Sequence, residues 1–311
     1  MATGAASQLS GLSGLHAAAA PLLWLTVAEA VWIAAVGIGR HRGALVRSWL
    51  TAREPDEHAG MLTVPLGLAV TTTGLAAQHG ALVSSLALAG LVLTWLSLLV
   101  LVFRFVASVI TKEKGLALDG GWFLAPAVLL GAAIAAVASV PHVAGAEQAV
   151  LRGLAVVAAV GGLAGYWAFL AWAIGRVSRH GLGKGRVLWW ISAGCGGLAA
   201  AAAAKVLGVP GGHWAVAFAG ALRTAMTISL VIAAILLVPI VVQSVRFLAR
   251  KRPVMRNIPW PPAFSSGVIA LGTIGAGAAL HTLVITTVGK GAGIATLIVW
   301  TVTACWNAAV L

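Results

Sequence analysis

The sequence predicts an all-α integral membrane protein of about ten transmembrane helices, with five inner kinked helices surrounded by outer ones. Three observations carry this prediction. Hydrophobic residues make up 60% of the 311-residue chain and charged residues 9%, with a mean hydropathy of +1.01; a water-soluble domain carries about 25% charged residues. Apolar stretches of roughly 20 residues, enough for a helix to cross a hydrocarbon layer about 30 Å thick, follow one another from end to end. Sixteen of the twenty Lys and Arg fall in four clusters, at 40–53, 104–114, 176–186 and 246–256, leaving Arg152, Lys205, Arg223 and Lys290 in the intervals. Short cytoplasmic loops retain basic residues, so every cluster marks the same side of the bilayer and each interval crosses it twice.

Taken in order, residues 1–13 are apolar and glycine-bearing and read as the latter part of a first helix. No charged segment followed by a cleavage site appears, which argues against a signal peptide. The second stretch, 18–39, contains Pro21 and Glu29. Beyond the first cluster come 61–80 and, after the turn signal at His79, 81–104. The fifth stretch, 121–140, ends at Pro141-His142, and 149–175 follows. The seventh, 187–208, leads through Pro210-Gly211-Gly212-His213 to the eighth, 217–246. The ninth is 262–284, and Gly289-Lys290-Gly291 reads as the turn into the tenth, 291–311, because proline and glycine punctuate helices. No hydrophilic segment is long enough for a soluble domain, so residues 1–311 form a single membrane domain. The expected location is the plasma (inner) membrane, with both termini cytoplasmic.

Helix breakers are concentrated in the odd-numbered stretches: Pro65 and Gly67 in the third, Gly120, Gly121, Pro126 and Gly131 in the fifth, Gly194, Gly196 and Gly197 in the seventh, and Pro261, Pro262, Gly267, Gly272, Gly275 and Gly277 in the ninth. Such residues free backbone groups that lipid cannot satisfy, which places these helices inside the bundle, where neighbours or a water-filled cavity can satisfy them. The even-numbered stretches would shield them. Close packing of small residues around no pore at all is the competing reading. In the sixth stretch Gly161, Gly162 and Gly165 offer a small-residue face for contact between subunits.

Several function classes drop out. The net charge of +13 and pI near 11.5 suit loops beside an anionic membrane leaflet rather than nucleic acid. Cys195 and Cys305 have no metal or redox spacing. The eight histidines lie mostly at predicted helix ends or in loops, a poor arrangement for axial haem ligands. No HExxH, GxSxG or P-loop sequence occurs, and no carboxylate pair is available for acid/base work. The expectation is therefore no enzymatic activity, no metal and no cofactor.

Four patches carry a resemblance: Met1-Ala2-Thr3-Gly4; Asp119-Gly120-Gly121-Trp122-Phe123-Leu124-Ala125; Trp190-Ile191-Ser192-Ala193-Gly194; and the run from Phe264 through Ser265, Ser266, Gly267 and Ile269 to Thr273. In order and helix placement they resemble motifs of the tellurite-resistance/dicarboxylate transporter family, which includes plant slow anion channels and fungal malate and sulfite exporters. Ser265 stands where that family usually has proline, and Ile269 where many members have tyrosine. The resemblance implies five inner helices around a central pore, closed midway by a phenylalanine of the ninth helix, in a homotrimer with one pore per subunit. It also implies transport of small inorganic or organic anions such as C4-dicarboxylate, chloride, nitrate, sulfite or tellurite.

On that reading Phe264 is the pore gate, an aromatic ring in a dry constriction, with Gly267 among the small residues that leave it room. An interfacial anchor beside Trp260 is the other reading of the same ring. Pore-lining candidates are Thr3, Gly4, Pro65, Thr71, Thr72, Pro126, Ser192, Ser265, Gly267 and Thr273. Their hydroxyls either donate to a passing anion or bond a carbonyl one turn back in their own helix. Lys205 and Arg223 flank an outer hairpin and supply vestibule charge or snorkel to the headgroups of membrane lipid. Glu29 is the one carboxylate well inside an apolar stretch, and it serves either proton coupling in a carrier or a structural hydrogen bond. A non-transporting membrane scaffold or cofactor-bearing subunit is the alternative of another class.

Overall fold

The computed structural model describes residues 2–12, 16–41, 61–78, 81–111, 120–180, 190–209, 213–250 and 261–310. Among them the regular structure is entirely helical. Ten α-helices follow in order: α1 (Ala2–Leu12), α2 (His16–His41), α3 (Thr63–Ala76), α4 (Ala81–Thr111), α5 (Leu124–Ser139), α6 (Ala146–His180), α7 (Trp190–Leu207), α8 (His213–Arg250), α9 (Pro261–Ala279) and α10 (Leu283–Val310), with short 3-10 turns at Gly120–Phe123 and Val140–His142. Six helices, α4 to α8 and α10, are long and apolar enough to cross a membrane. The chain is an all-α, multi-pass membrane protein.

The prolines at the starts of the odd helices sit where they cost least. Pro65 and Pro126 each occupy the third position of α3 and α5, and Pro261 and Pro262 open α9; first-turn N–H groups have no intrahelical acceptor to lose. Several helices run past their apolar stretches: α4 to Thr111, α6 to His180 and α8 to Arg250. Charge ends a membrane span without ending a helix, which is why hydropathy alone set these ends too short. Most of the basic-cluster residues, together with His79, Pro210 and Trp260, lie outside the described residues.

The turn into the last helix differs from the sequence expectation. It is not at Gly289-Lys290-Gly291 but at 280–282, where His281 adopts φ 53°. The Thr282 N–H donates to the Gly277 carbonyl at 2.8 Å and the His281 N–H to Ala278 at 3.2 Å, the paired bonds of a Schellman stop with histidine in the place glycine usually takes. Gly289 instead lies inside α10 against the α9 backbone, where an added Cβ would stand 2.7 Å from the Ile274 nitrogen.

Consecutive helices pack as five antiparallel hairpins, α1–α2, α3–α4, α5–α6, α7–α8 and α9–α10, and each odd helix also touches the next odd helix, with α9 returning to α1 to close a ring. The two layers differ sharply in burial. In the most apolar windows of Leu124–His142 and Trp190–Leu207, 78% of residues are buried, against 39% in Ala146–Arg179, 22% in Val83–Leu101, 22% in Phe218–Pro239 and 17% in Leu283–Val302. The even helices turn apolar side chains such as Leu96, Leu99, Phe103, Val157, Ile235 and Val284 outward, as a lipid-facing layer requires. Backbone meets backbone where α7 crosses α9: a Cβ on Gly197 would lie 2.6 Å from the Ile269 Cα, and one on Gly272 would strike the Gly197 carbonyl. The small-residue face of α6 is used within the chain, since Gly162 receives Leu130 and Gly165 receives Pro126 of α5. Trp122 and Phe123 anchor the start of α5 by edge-on contacts with Phe169 and Tyr166, at 6.3 and 6.0 Å.

Because the odd helices run parallel, their N-termini share one face of the bundle with the C-terminal ends of α2, α4, α6 and α8. Their C-termini share the other.

Candidate functional site

The ring encloses a cavity of about 1640 Å³, lined by the C-terminal parts of α1, α3, α5 and α7, by α9 along most of its length, and at the mouth by α2 and α8. Along α9 the lining runs from Phe264 to Ala279, about 22 Å at 1.5 Å per residue. The space exists because the ring helices present little there: Ala5, Ala69, Gly131, Ala201, Ala204 and Gly275 all face it.

Among the described residues, the Lys and Arg of the lining lie at the mouth. Lys205, Arg223 and His281 line it there, and both Lys205 and Arg223 are exposed. Glu29 and Glu147 are the acidic residues among those described; neither lines the cavity, and neither pairs with these cations. The five odd helices also direct their C-termini to the mouth, each equivalent to roughly −0.5 charge. Lys205, in the last turn of α7, offsets that partial charge. At the opposite, deep end the ring helices run on toward their N-termini, but in α3, α5 and α7 the lining begins more than a turn inside the helix, beyond the reach of the N-terminal partial charge. The lining residues closest to those N-termini are Ala5, Ala69, Gly131, Leu198 and Phe264.

Between mouth and floor the wall is apolar except for a few polar side chains, of which Ser7, Gln8 and Thr73 each have one hydrogen engaged. Ser7 Oγ donates to the Ala19 carbonyl at 2.6 Å, Gln8 Nε2 to Val70 at 3.1 Å and Thr73 Oγ1 to Ala69 at 2.8 Å. The first two tie α1 to α2 and α3, so they hold the ring as well as face its interior. Near the mouth, His142 clamps the end of α5: its Nε2–H donates to the Ala76 carbonyl at 2.8 Å, which leaves Nδ1 to accept from the Ser84 hydroxyl at 2.9 Å.

Three of the residues singled out in the sequence, Phe264, Lys205 and Arg223, meet in this cavity. Phe264 is half-buried and packs against the main apolar core. The rest lie elsewhere. Thr3 Oγ1 donates to Glu29 Oε1 at 3.1 Å, joining α1 to α2. Thr71 and Thr273 bond their own helices, to Gly67 at 2.9 Å and Ile269 at 2.8 Å. Thr72 is buried against Gly90 of α4 and Ser265 against Gly194 of α7, and neither hydroxyl has a hydrogen-bond partner among the described residues. Gly267 faces Ala5, Leu9 and Thr296. Pro65, Pro126 and Ser192 are buried near the starts of their helices, and Gly4 lies in α1. Sequence reasoning passed over Ser7, Gln8, Thr73, Gln78 and His281, all of which line the cavity. Gln8 was findable as the only amide in the first apolar stretch; Thr73 was not distinguishable from the two threonines before it.

Compared with known proteins, the chain matches no family model, no curated protein and no solved structure.

Proposed function

We propose that this protein transports small anions across a membrane through the ring of odd helices, with Phe264 as the gate. The observation that carries this reading is a ring-enclosed cavity in which, among the described residues, Lys205 and Arg223 supply the lining's Lys and Arg at the mouth, beside His281, with Phe264 at its deep end. The basic mouth raises the local anion concentration, and the apolar wall beyond it holds, among the described residues, no fixed cation that would bind the ion too tightly. The aromatic ring closes the path by steric bulk and dewetting. On this reading the chain is a plasma (inner) membrane protein with cytoplasmic termini and a homotrimer with one path per subunit, as the resemblance to the tellurite-resistance/dicarboxylate transporter family implies. Glu29, bonded to Thr3 and away from the cavity, fits a structural role better than proton coupling. Purified protein in liposomes tests the reading: chloride, nitrate, sulfite, tellurite and succinate fluxes should exceed those of empty liposomes while potassium flux does not. Equal cation and anion flux, or none, would remove it.

A further inference from the structure

We infer that the cavity binds amphipathic organic monoanions, with a carboxylate head at the Lys205, Arg223 and His281 mouth and an unbranched apolar body laid along the α9 wall toward Phe264. This narrows the anion class of the preceding reading and rests on it for access to the site from water.

Among the described residues, Lys205, Arg223 and His281 of the lining all stand at one end of a space about 22 Å deep. Further in, the α9 wall is Ile274, Leu271, Val268 and Phe264, facing Leu198 and Ile134. Of Ser7, Gln8 and Thr73 in the wall, only Gln8 keeps a hydrogen to offer a buried charge there. A hydroxyl has a single hydrogen to give, and those of Ser7 and Thr73 are held by backbone carbonyls, as is one amide hydrogen of Gln8. What these hydroxyls still offer is lone pairs, which an anion does not use. A small dianion therefore leaves both charges at the mouth and the apolar wall unfilled, or places one charge where it loses hydration for little more than the second amide hydrogen of Gln8. A monoanion with an apolar tail satisfies both regions, as ligand sites with an apolar lining and a few convergent polar groups generally do.

The test is binding to the full chain in nanodiscs of zwitterionic lipid, by titration calorimetry with butyrate, hexanoate, octanoate and succinate, subtracting the heats of empty nanodiscs. Affinity should rise roughly fourfold per added methylene, octanoate should exceed succinate at least tenfold, and the double variant Lys205→Gln/Arg223→Gln should weaken octanoate at least fivefold. The chain-length series on the unaltered protein does not depend on any variant folding. Affinity that is flat with chain length, or succinate binding as tightly as octanoate, overturns the inference. Octanoate binding without any anion flux would support the ligand class while removing the transport reading. Chloride flux without octanoate binding would do the reverse.

Discussion

Removing the two basic side chains at the cavity mouth, Lys205→Gln together with Arg223→Gln, should slow anion entry by a factor that salt can erase. Both side chains are exposed, so their effect on an anion passes mainly through water. At roughly 7 Å a unit charge in bulk water contributes about 0.6 kcal/mol, and the pair about 1.2 kcal/mol, or roughly sevenfold in local anion concentration. At about 0.01 M ionic strength the Debye length of about 30 Å leaves this nearly whole; at about 1 M it shrinks to about 3 Å and the contribution vanishes. The assay is initial chloride flux into liposomes at both ionic strengths, normalised to folded protein, for wild type, the double variant and the charge-reversed pair Lys205→Glu/Arg223→Glu. The ratio of wild type to double variant should be roughly sevenfold at low salt and approach one at high salt, with the reversed pair losing more again at low salt. A ratio of one at low salt, or one that is unchanged by salt, would show that these residues serve the headgroups or the α7 terminus and not the path of the anion.

Two further predictions address the fold. Gly197→Val inserts a side chain 2.6 Å from the Ile269 Cα, so α7 and α9 must part; the cost should be about 1–3 kcal/mol, read as a lower denaturation midpoint, whereas Gly153→Ala, with nothing within 4 Å, should be stabilising by about 0.5–1 kcal/mol. In a variant lacking Cys195 and Cys305, single cysteines at Ala52, Glu113, Gly183 and Lys251 should all react from one side of the membrane, and cysteines at Ala144 and Gly208 only from the other. Mixed reactivity within either set would contradict the parallel arrangement of the odd helices.

The two-layer arrangement was legible because the same property that marks a kinked helix also permits close approach: the glycines of α7 and α9 are where backbone touches backbone, at Gly197 and Gly272. The same ambiguity produced the error at Gly289, which was read as a turn and is a contact. Nothing in the residues around His281 announced a left-handed stop, since histidine enters that conformation only when a completed Schellman pair of hydrogen bonds supports it. The charged mouth was legible too, because lone cations in apolar stretches stand out; its gathering into one cavity with Phe264 was not, since that depends on which way α7, α8 and α9 face. Hydroxyls were the least legible. Thr71, Thr72 and Thr73 lie about 100° apart on a helix that is apolar all round, and sequence holds no phase reference to tell that Thr73 faces the cavity and Thr72 faces α4.

The central claim, that anions pass along the ring and are stopped at Phe264, is tested most directly by current per folded protein in planar bilayers for wild type, Phe264→Leu and Phe264→Ala. Phe218→Ala, which removes an exposed aromatic of α8, serves as the control for a lost membrane anchor. The account predicts that anion current rises from wild type through leucine to alanine, by at least tenfold for alanine, because the ring closes a narrow apolar constriction, while Phe218→Ala leaves current per folded protein unchanged. Current that is unchanged or reduced in Phe264→Ala, with the protein folded, would contradict it.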